Sequence, residues 1–398
     1  MMESTKNMTV NPLPALTWNR LKMNAGEVEL LSAQTGAEIT LSGLPEGVSV
    51  RKFPEISGKS EKIGISGLEI SGNQNFQEEI SGKSVGICGK SQEIRGKFQE
   101  TESGMGAEFE QYMADSAVTL VEVQSGCQTG VPVMISLDYT EGTSAADRIY
   151  IHAAEGSSIP VIFILKSTQK VQACLQVKTI AEAEANVQLY VVQLTGEGST
   201  VLTDVASLCK EKAQVSLTKL ELGGGAQYVG VCTTLKGDKS AFHAEAGYRV
   251  RAGQHLDMNY LVRHVGRKTT SEMNASGVLE ENAFKLFRGT IDFPRGCAGA
   301  KGNEKEDILL LGERQVNQTI PLILCQEEDV EGNHGATIGR LPEQVLFYLG
   351  TRGISAQAAE DLIASAKLEA VCSLIPDEKV QQTVRAFLCA MTRDRICG

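Results

Sequence analysis

HVGRKTTSEMNASGVLEENAFKLFRGTIDF, running from His264 to Phe293, is the stretch on which the fold turns. It closes a region, from about Ala117 to Phe293, in which short β-rich runs alternate with turn residues. Examples are Val118 to Val123, Val131 to Leu137, Arg148 to Ala153, Pro160 to Leu165, Val187 to Gln193 and Gln214 to Leu222. Several alternate apolar and polar residues in part, as in Val187-Gln188-Leu189. Turn signals fall at Glu155-Gly156, Gly223-Gly224-Gly225, Lys236-Gly237-Asp238, Ala252-Gly253 and Glu281-Asn282. No helix-length periodic run intervenes, which disfavours βαβ architectures.

Two solutions fit such a pattern: an antiparallel sandwich, or a parallel β-helix in which only the stack of coils buries a continuous core. Periodicity alone does not choose between them. The polar ladder-like run Lys268-Thr269-Thr270-Ser271 and the absence of Asn-Gly hairpin pairs lean towards the solenoid.

Working outward, the period becomes helical after Arg340. Pro342 suits a first helical position and Gly353 a stop, which predicts a helix over roughly Pro342 to Thr351. Ser355 can cap a second helix, with Ala359, Leu362, Ile363, Ala366, Ala370 and Leu374 as its apolar positions. A third, from about Pro376, carries Val380, Val384, Phe387, Leu388 and Met391 on one face. At the other end, the segment around Trp18 can start a short helix after Pro14 or Thr17. Between Glu55 and Met105 an Ile-Ser-Gly theme repeats, and Phe76-Gln77-Glu78 is echoed by Phe98-Gln99-Glu100. So few large apolar residues bury little surface against the entropy of ordering them, so this is read as a mobile or loosely β-structured insertion. The expected organisation is thus an amino-terminal region over 1–54, an insertion over 55–105, a β core over 106–338 and a helical domain over 339–398.

Composition narrows the function. With 38 basic and 49 acidic residues the net charge is -11, which repels a phosphate backbone and argues against a nucleic-acid partner. The opening MMESTKNMTVNPLPALTW has no apolar core of signal-peptide length, and nowhere do ~18 apolar residues run together, so a soluble, cytoplasmic chain without a membrane partner is expected. Ten cysteines without a CxxC pair suit reduced thiols that mostly serve as small core residues. Gly-Lys-Ser triplets at Gly58, Gly82 and Gly89 imitate the end of a phosphate loop. The glycine required five residues earlier is replaced by Phe53, Gln77 and Ser84, so no nucleotide site is expected. None of the five histidines stands at zinc-site spacing, and GxSxG is absent. One enzymatic reading survives these exclusions: a secreted-type β-helix acting on polysaccharide through scattered carboxylates such as Asp257, Glu272, Glu280 and Asp292. A purely structural β-solenoid that binds other proteins is a further alternative.

A series of phrases in fixed order is more specific than any of these signals. They are His264-x-Gly266-x-x-Thr269, Phe287-Arg288-Gly289-x-Ile291, Leu309-Leu310-Leu311, Thr319-x-Pro321, Asn333-His334-Gly335-Ala336-Thr337-Ile338-Gly339 and Leu346-Phe347-Tyr348-Leu349-x-x-Arg352-Gly353-Ile354. In this order they resemble the SufB/SufD family of iron–sulfur cluster assembly subunits, strongly from about His264 to Ile363 and less so back to about Ala117. The resemblance implies a mainly β fold, a right-handed parallel β-helix with short helical regions at the amino and carboxy ends. SufB-type chains place a cysteine before the Asp of the Asp-x-Leu-Leu strand, where this chain has Glu306, and a Glu after the His, where it has Gly335. Both differences favour the SufD side. Many SufD-type chains carry a cysteine two residues before the histidine; here it is Gly332.

The resemblance implies a non-enzymatic scaffold that pairs with a SufB-type subunit, or with itself, and recruits the SufC ATPase. A transient iron–sulfur cluster at a subunit interface is the expected cargo. His334 is the leading candidate for iron ligation or proton relay, against a buried structural histidine. Glu306 is a candidate carboxylate ligand, against an exposed strand-end glutamate. Cys297 and Cys325 are candidates for sulfur transfer only if exposed. Phe347, Tyr348 and Arg352 are candidates for the SufC-binding surface, against a role in the helical core.

Overall fold

The structure, a computed structural model, describes residues 5–15, 22–33, 35–53, 94–139 and 144–397, with side chains up to Met391. Strands β3 (Glu38–Ser42) to β20 (Val330–Gly339) form two nine-stranded sheets: β3 with the even-numbered strands from β6 to β20, and β4 with the odd-numbered strands from β5 to β19. From β5 (Val118–Val123) onward every pairing is parallel and joins a strand to the next but one, so each coil stacks on the last. The protein is therefore a parallel β-solenoid.

Side chains alternate along each strand, so one row points between the sheets and the other outward. Facing inward, Val161, Phe163, Val177, Leu189, Val205, Leu217, Val231, Met258 and Ile291 belong to one continuous core. The outward row is covered as well. In β9 (Gln172–Ala181) all ten residues are buried, which is why strands in the middle of the chain read as apolar runs with only partial alternation.

Register depends on the turns. Glu184, Lys212, Lys239 and Lys268 adopt left-handed backbone conformations at one corner of successive coils, where Gly156 and Gly299 stand in other coils. Each aims its N–H along the stack: Glu184 donates to the Glu211 carbonyl, Lys212 to Asp238, Lys239 to Arg267 and Lys268 to Ala298. The corner is thus its own hydrogen-bonded column.

Two outer layers complete the fold. Over the odd-numbered sheet lie an antiparallel hairpin, β1 (Thr5–Val10) with β2 (Gly26–Leu31), and helix α1 (Ala107–Met113), which together bury Met8, Leu30, Phe109 and Met113 against Cys174, Leu202 and Tyr228. Over the even-numbered sheet lie α3 (Ala356–Cys372) and α4 (Glu378–Cys397), with Leu368, Val371, Val384 and Leu388 against Ile162, Val192 and Leu220. Ser355 caps α3 by accepting a hydrogen bond from the Ala358 N–H. The preceding α2 (Glu343–Gly350) buries none of its residues, and Gly353, at φ +81°, turns the chain into α3. Among the described residues, no helix is long and apolar enough to cross a membrane.

The apolar face expected for α3 is rotated. Ala359 is buried as expected, but Leu362 is 56% exposed, Leu374 is also exposed, and the sheet is met by Ala364, Leu368, Val371 and Cys372. The expected helix near Trp18 and residues 55–93 of the insertion, with their Gly-Lys-Ser triplets, lie outside the described residues. The end of that segment is packed: Phe98 is buried and stacks on Tyr150 with ring centroids 4.4 Å apart, and the Met105 N–H donates to Asp204 Oδ1. The chain leaves the solenoid at the end of β4 (Val48–Phe53) and re-enters at β5, where Phe53 and Val118 are bonded partners in an antiparallel pair.

Candidate functional site

The two ends of the solenoid differ. At the amino-terminal end, β3 and β4 add to the sheets in antiparallel sense and close the first coil. At the carboxy-terminal end nothing among the described residues covers β19 (Val316–Cys325) or β20: no residue of β19 is buried, and every residue of β20 after Val330 is exposed. Inward-facing positions of this last coil therefore form a surface. Parallel pairing sets Gly302 beside Gly332, Glu304 beside His334, Glu306 beside Ala336 and Ile308 beside Ile338. Because Glu304, Glu306 and Ile308 belong to the inward row of β18 (Ala300–Leu310), His334 continues that row at the open end.

Beneath His334 is a set of buried polar groups. Glu306 is not the strand-end residue open to solvent that was one reading of it. It is 1% exposed and ion-paired with the equally buried Lys285. The Tyr248 hydroxyl donates to Glu306 Oε1 at 3.3 Å, and the Thr319 hydroxyl donates to its Oε2 at 2.7 Å. Burial lowers the Lys285 ammonium below the usual lysine range, against the pull of Glu306. Burial, reinforced by Glu306, holds the Tyr248 phenol well above its ordinary value and keeps it a donor. Glu304 differs from Glu306. Its carboxyl is buried, is pushed up to about 7 by that burial and by Glu306, with Lys285 opposing, and lies against Gly289.

The cysteine candidates separate. Cys297 is fully buried in the core, and burial raises its thiol. Cys325 is exposed at the end of β19, its Sγ 3.1 Å from the Glu327 carbonyl. Of the two, only Cys325 meets the exposure condition for sulfur chemistry. A side chain at Gly332 would meet Phe293 at 3.0 Å, so this position also faces inward and offers no thiol beside His334. On α2, Phe347 is 75% and Tyr348 54% exposed, and the Arg352 guanidinium lies 4.6 Å from the Tyr348 ring centre. These residues are surface, not helical core.

The carboxylates considered for glycoside chemistry are not gathered into one cleft. Asp257 is buried against Arg288, Glu280 against Arg249, and Asp292 pairs with Arg263. Glu272 lies on the outer face beside His243, whose imidazole is raised chiefly by its hydrogen bond to Glu245. The His264-x-Gly266-x-x-Thr269 phrase proves to be architectural. The buried His264 ring bridges Thr269 Oγ1 at 2.7 Å and Ser271 Oγ at 2.9 Å, and burial lowers it to about 4.

Glu304, Lys285, Tyr248 and Thr319 were missed by sequence reasoning. No local signal marks them: Ala300 to Ile308 alternates in burial but not in residue type, and only the coil length, thirty residues from Glu304 to His334, makes a neighbourhood of them.

Comparison with known proteins bears on this end of the molecule. A family model described as SUF system FeS cluster assembly, SufBD core domain, matches residues 136–367. The chain is 23% identical over 228 residues to the iron–sulfur cluster assembly protein SufB of Bacillus subtilis, covering 57% of this chain and 48% of that protein. It is 27% identical over 150 residues to SufD of the same organism, covering 38% and 34%. To SufD of Escherichia coli it is 23% identical over 278 residues, covering 68% and 66%. In each case the chain spans less than two thirds of the relative's length.

Proposed function

We propose, from the premise that the chain belongs to the SufBD core-domain family of the SUF iron–sulfur cluster assembly system, that it is a SufD-type scaffold subunit and not an enzyme. The observation that carries the reading is the uncovered last coil, where the inward row ends in His334. Strands β19 and β20 are the terminal strands of their sheets and leave backbone groups free to meet a second solenoid, a SufB-type subunit or another copy of this chain. Across that junction the His334 imidazole serves as ligand or proton relay while iron and sulfide, the cargo, are assembled into a transient cluster. Glu306 stands where SufB-type chains carry cysteine, and its carboxylate is held by Lys285, Thr319 and Tyr248, so it steadies the floor of the site.

The second contact is helical. Phe347 and Tyr348 on α2, with Arg352 against the tyrosine ring, give exposed apolar surface suited to a SufC-type ATPase. This surface is fixed to the solenoid through α3. Lys367 pairs with Asp307 at 2.5 Å, and Arg249 lies between Glu280 and Asp361. ATP-driven closure of that partner would thus be transmitted to β18, the strand next to β20.

Co-expression with a SufB-type chain and a SufC-type ATPase tests the proposal, and all three are expected to co-purify. A stable monomer that ignores both would sink it. His334→Ala should leave the complex intact while cluster formation in anaerobic reconstitution drops by about 10-fold or more, as when a metal site loses a supporting group. An unchanged yield would remove His334 from the site.

A further inference from the structure

We propose that Glu304 is a metal-binding residue of this chain, sharing ferrous iron with His334 at the open end of the solenoid. The inference rests on the reading of His334 given above and adds to it a ligand that the sequence phrases do not single out. Glu304 and His334 are register partners on adjacent parallel strands and belong to the same inward row, the arrangement that brings neighbouring side chains together on a sheet.

The carboxyl of Glu304 is the unexplained group of the site. It is 3% exposed, yet among the described residues it makes no hydrogen bond and no ion pair, and the nearby cation, Lys285, is paired with Glu306. Its neighbour Glu306 is fully engaged by Lys285, Thr319 and Tyr248. A buried carboxyl without a partner is costly, so its presence two residues from a satisfied one calls for a ligand. The carboxyl itself is accommodated by Gly289 on the opposite sheet, where a Cβ would collide with it.

Carboxylate oxygen and imidazole nitrogen together suit ferrous iron better than a soft thiophilic ion, and Gly332 supplies no thiolate beside them. Among the described residues, no three His, Cys, Asp or Glu side chains converge to hold a metal. Glu304 and His334 therefore form half a site, with the remaining positions left to water, sulfide or the chain that covers β20.

The test is anaerobic titration of the full chain with Co(II), followed by its d–d absorption, and then with Fe(II). Wild type should bind one equivalent; Glu304→Gln and His334→Ala should each weaken binding by about 10-fold or more. The double variant should be no weaker than the poorer single one, since both remove the same site. If Glu304→Gln binds like wild type while His334→Ala does not, the proposal falls and the reading of His334 stands. If neither variant changes binding, or wild type binds no Co(II) up to millimolar metal, the proposal also falls. Cluster yield in the His334→Ala complex then decides the fate of the histidine separately. Should Glu304→Gln fail to fold, as judged by circular dichroism, Gly289→Ala carries the test. It keeps both donors but displaces the Glu304 carboxyl, and undiminished metal binding in that variant overturns the proposal.

Discussion

Coils in the middle of the solenoid and the coil at its carboxy-terminal end have the same backbone and opposite surroundings. In β17 (Phe284–Phe293) eight residues are buried and two are intermediate; in β20 nine of ten are exposed. The difference lies in what covers them, since strand pairing continues unbroken into the last coil. An inward row is core only while another coil follows. Where the stack stops, the same row becomes a chemical surface presented on a rigid strand, and His334 occupies that position.

Paired substitutions on neighbouring rungs break or sharpen this comparison. Ile308, 2% exposed, is the register partner of Ile338, 46% exposed. Ile308→Ala should cost about 2–5 kcal/mol in chemical denaturation, and Ile338→Ala under about 1 kcal/mol. Equal losses in the isolated chain would mean that the last coil is covered in solution.

Next is pH. His264, sealed in the covered part of the core, has a folded-state value of about 4 against an ordinary 6.5. Between these values the unfolded chain binds the extra proton, so this contribution is complete above pH 6.5 and is lost as pH falls towards 4. It amounts to up to about 3 kcal/mol. Denaturation midpoints over this range should show a slope that is reduced in His264→Gln, and an unchanged slope would contradict the sealed environment.

Surface aromatics come third. Phe347→Ala should shift stability by no more than about 0.5 kcal/mol yet weaken capture of a SufC-type ATPase by about 10-fold, as for an exposed anchor at an interface. The smallest effect is expected at the corner column. Lys239→Gly relieves a left-handed conformation, φ 59°, and should raise stability by about 0.5–1 kcal/mol, read as a small increase in melting temperature.

Much of the architecture was legible because local chemistry marks it. The turn signals at Gly156, Lys236-Gly237-Asp238 and Glu281-Asn282 fall at coil corners, and Ser355 caps its helix. Other features depend on distant partners. Leu362 and Leu374 satisfy a helical period, but α3 meets the sheet through Leu368 and Val371, since the surface available is set by Ile162, Val192 and Leu220 far away in sequence. Buried pairs such as Lys219–Glu221, 2.6 Å apart, and Lys285–Glu306 read as solvent-facing charges in the sequence, because nothing local says which row of a strand they occupy. His334 was found through its phrase, whereas Glu304 required the register.

The junction of Phe53 with Val118 has a consequence for how such a chain can change over time. Everything between these residues departs from and returns to a single rung, so residues can be gained or lost there without shifting the phase of any coil. The entropic cost of closing such a detour grows only with the logarithm of its length, about 0.6 kcal/mol per doubling. The Ile-Ser-Gly repeats thus occupy a place where duplication is tolerated, while a single residue gained within β18 would turn Glu304 and Glu306 outward and dismantle the site.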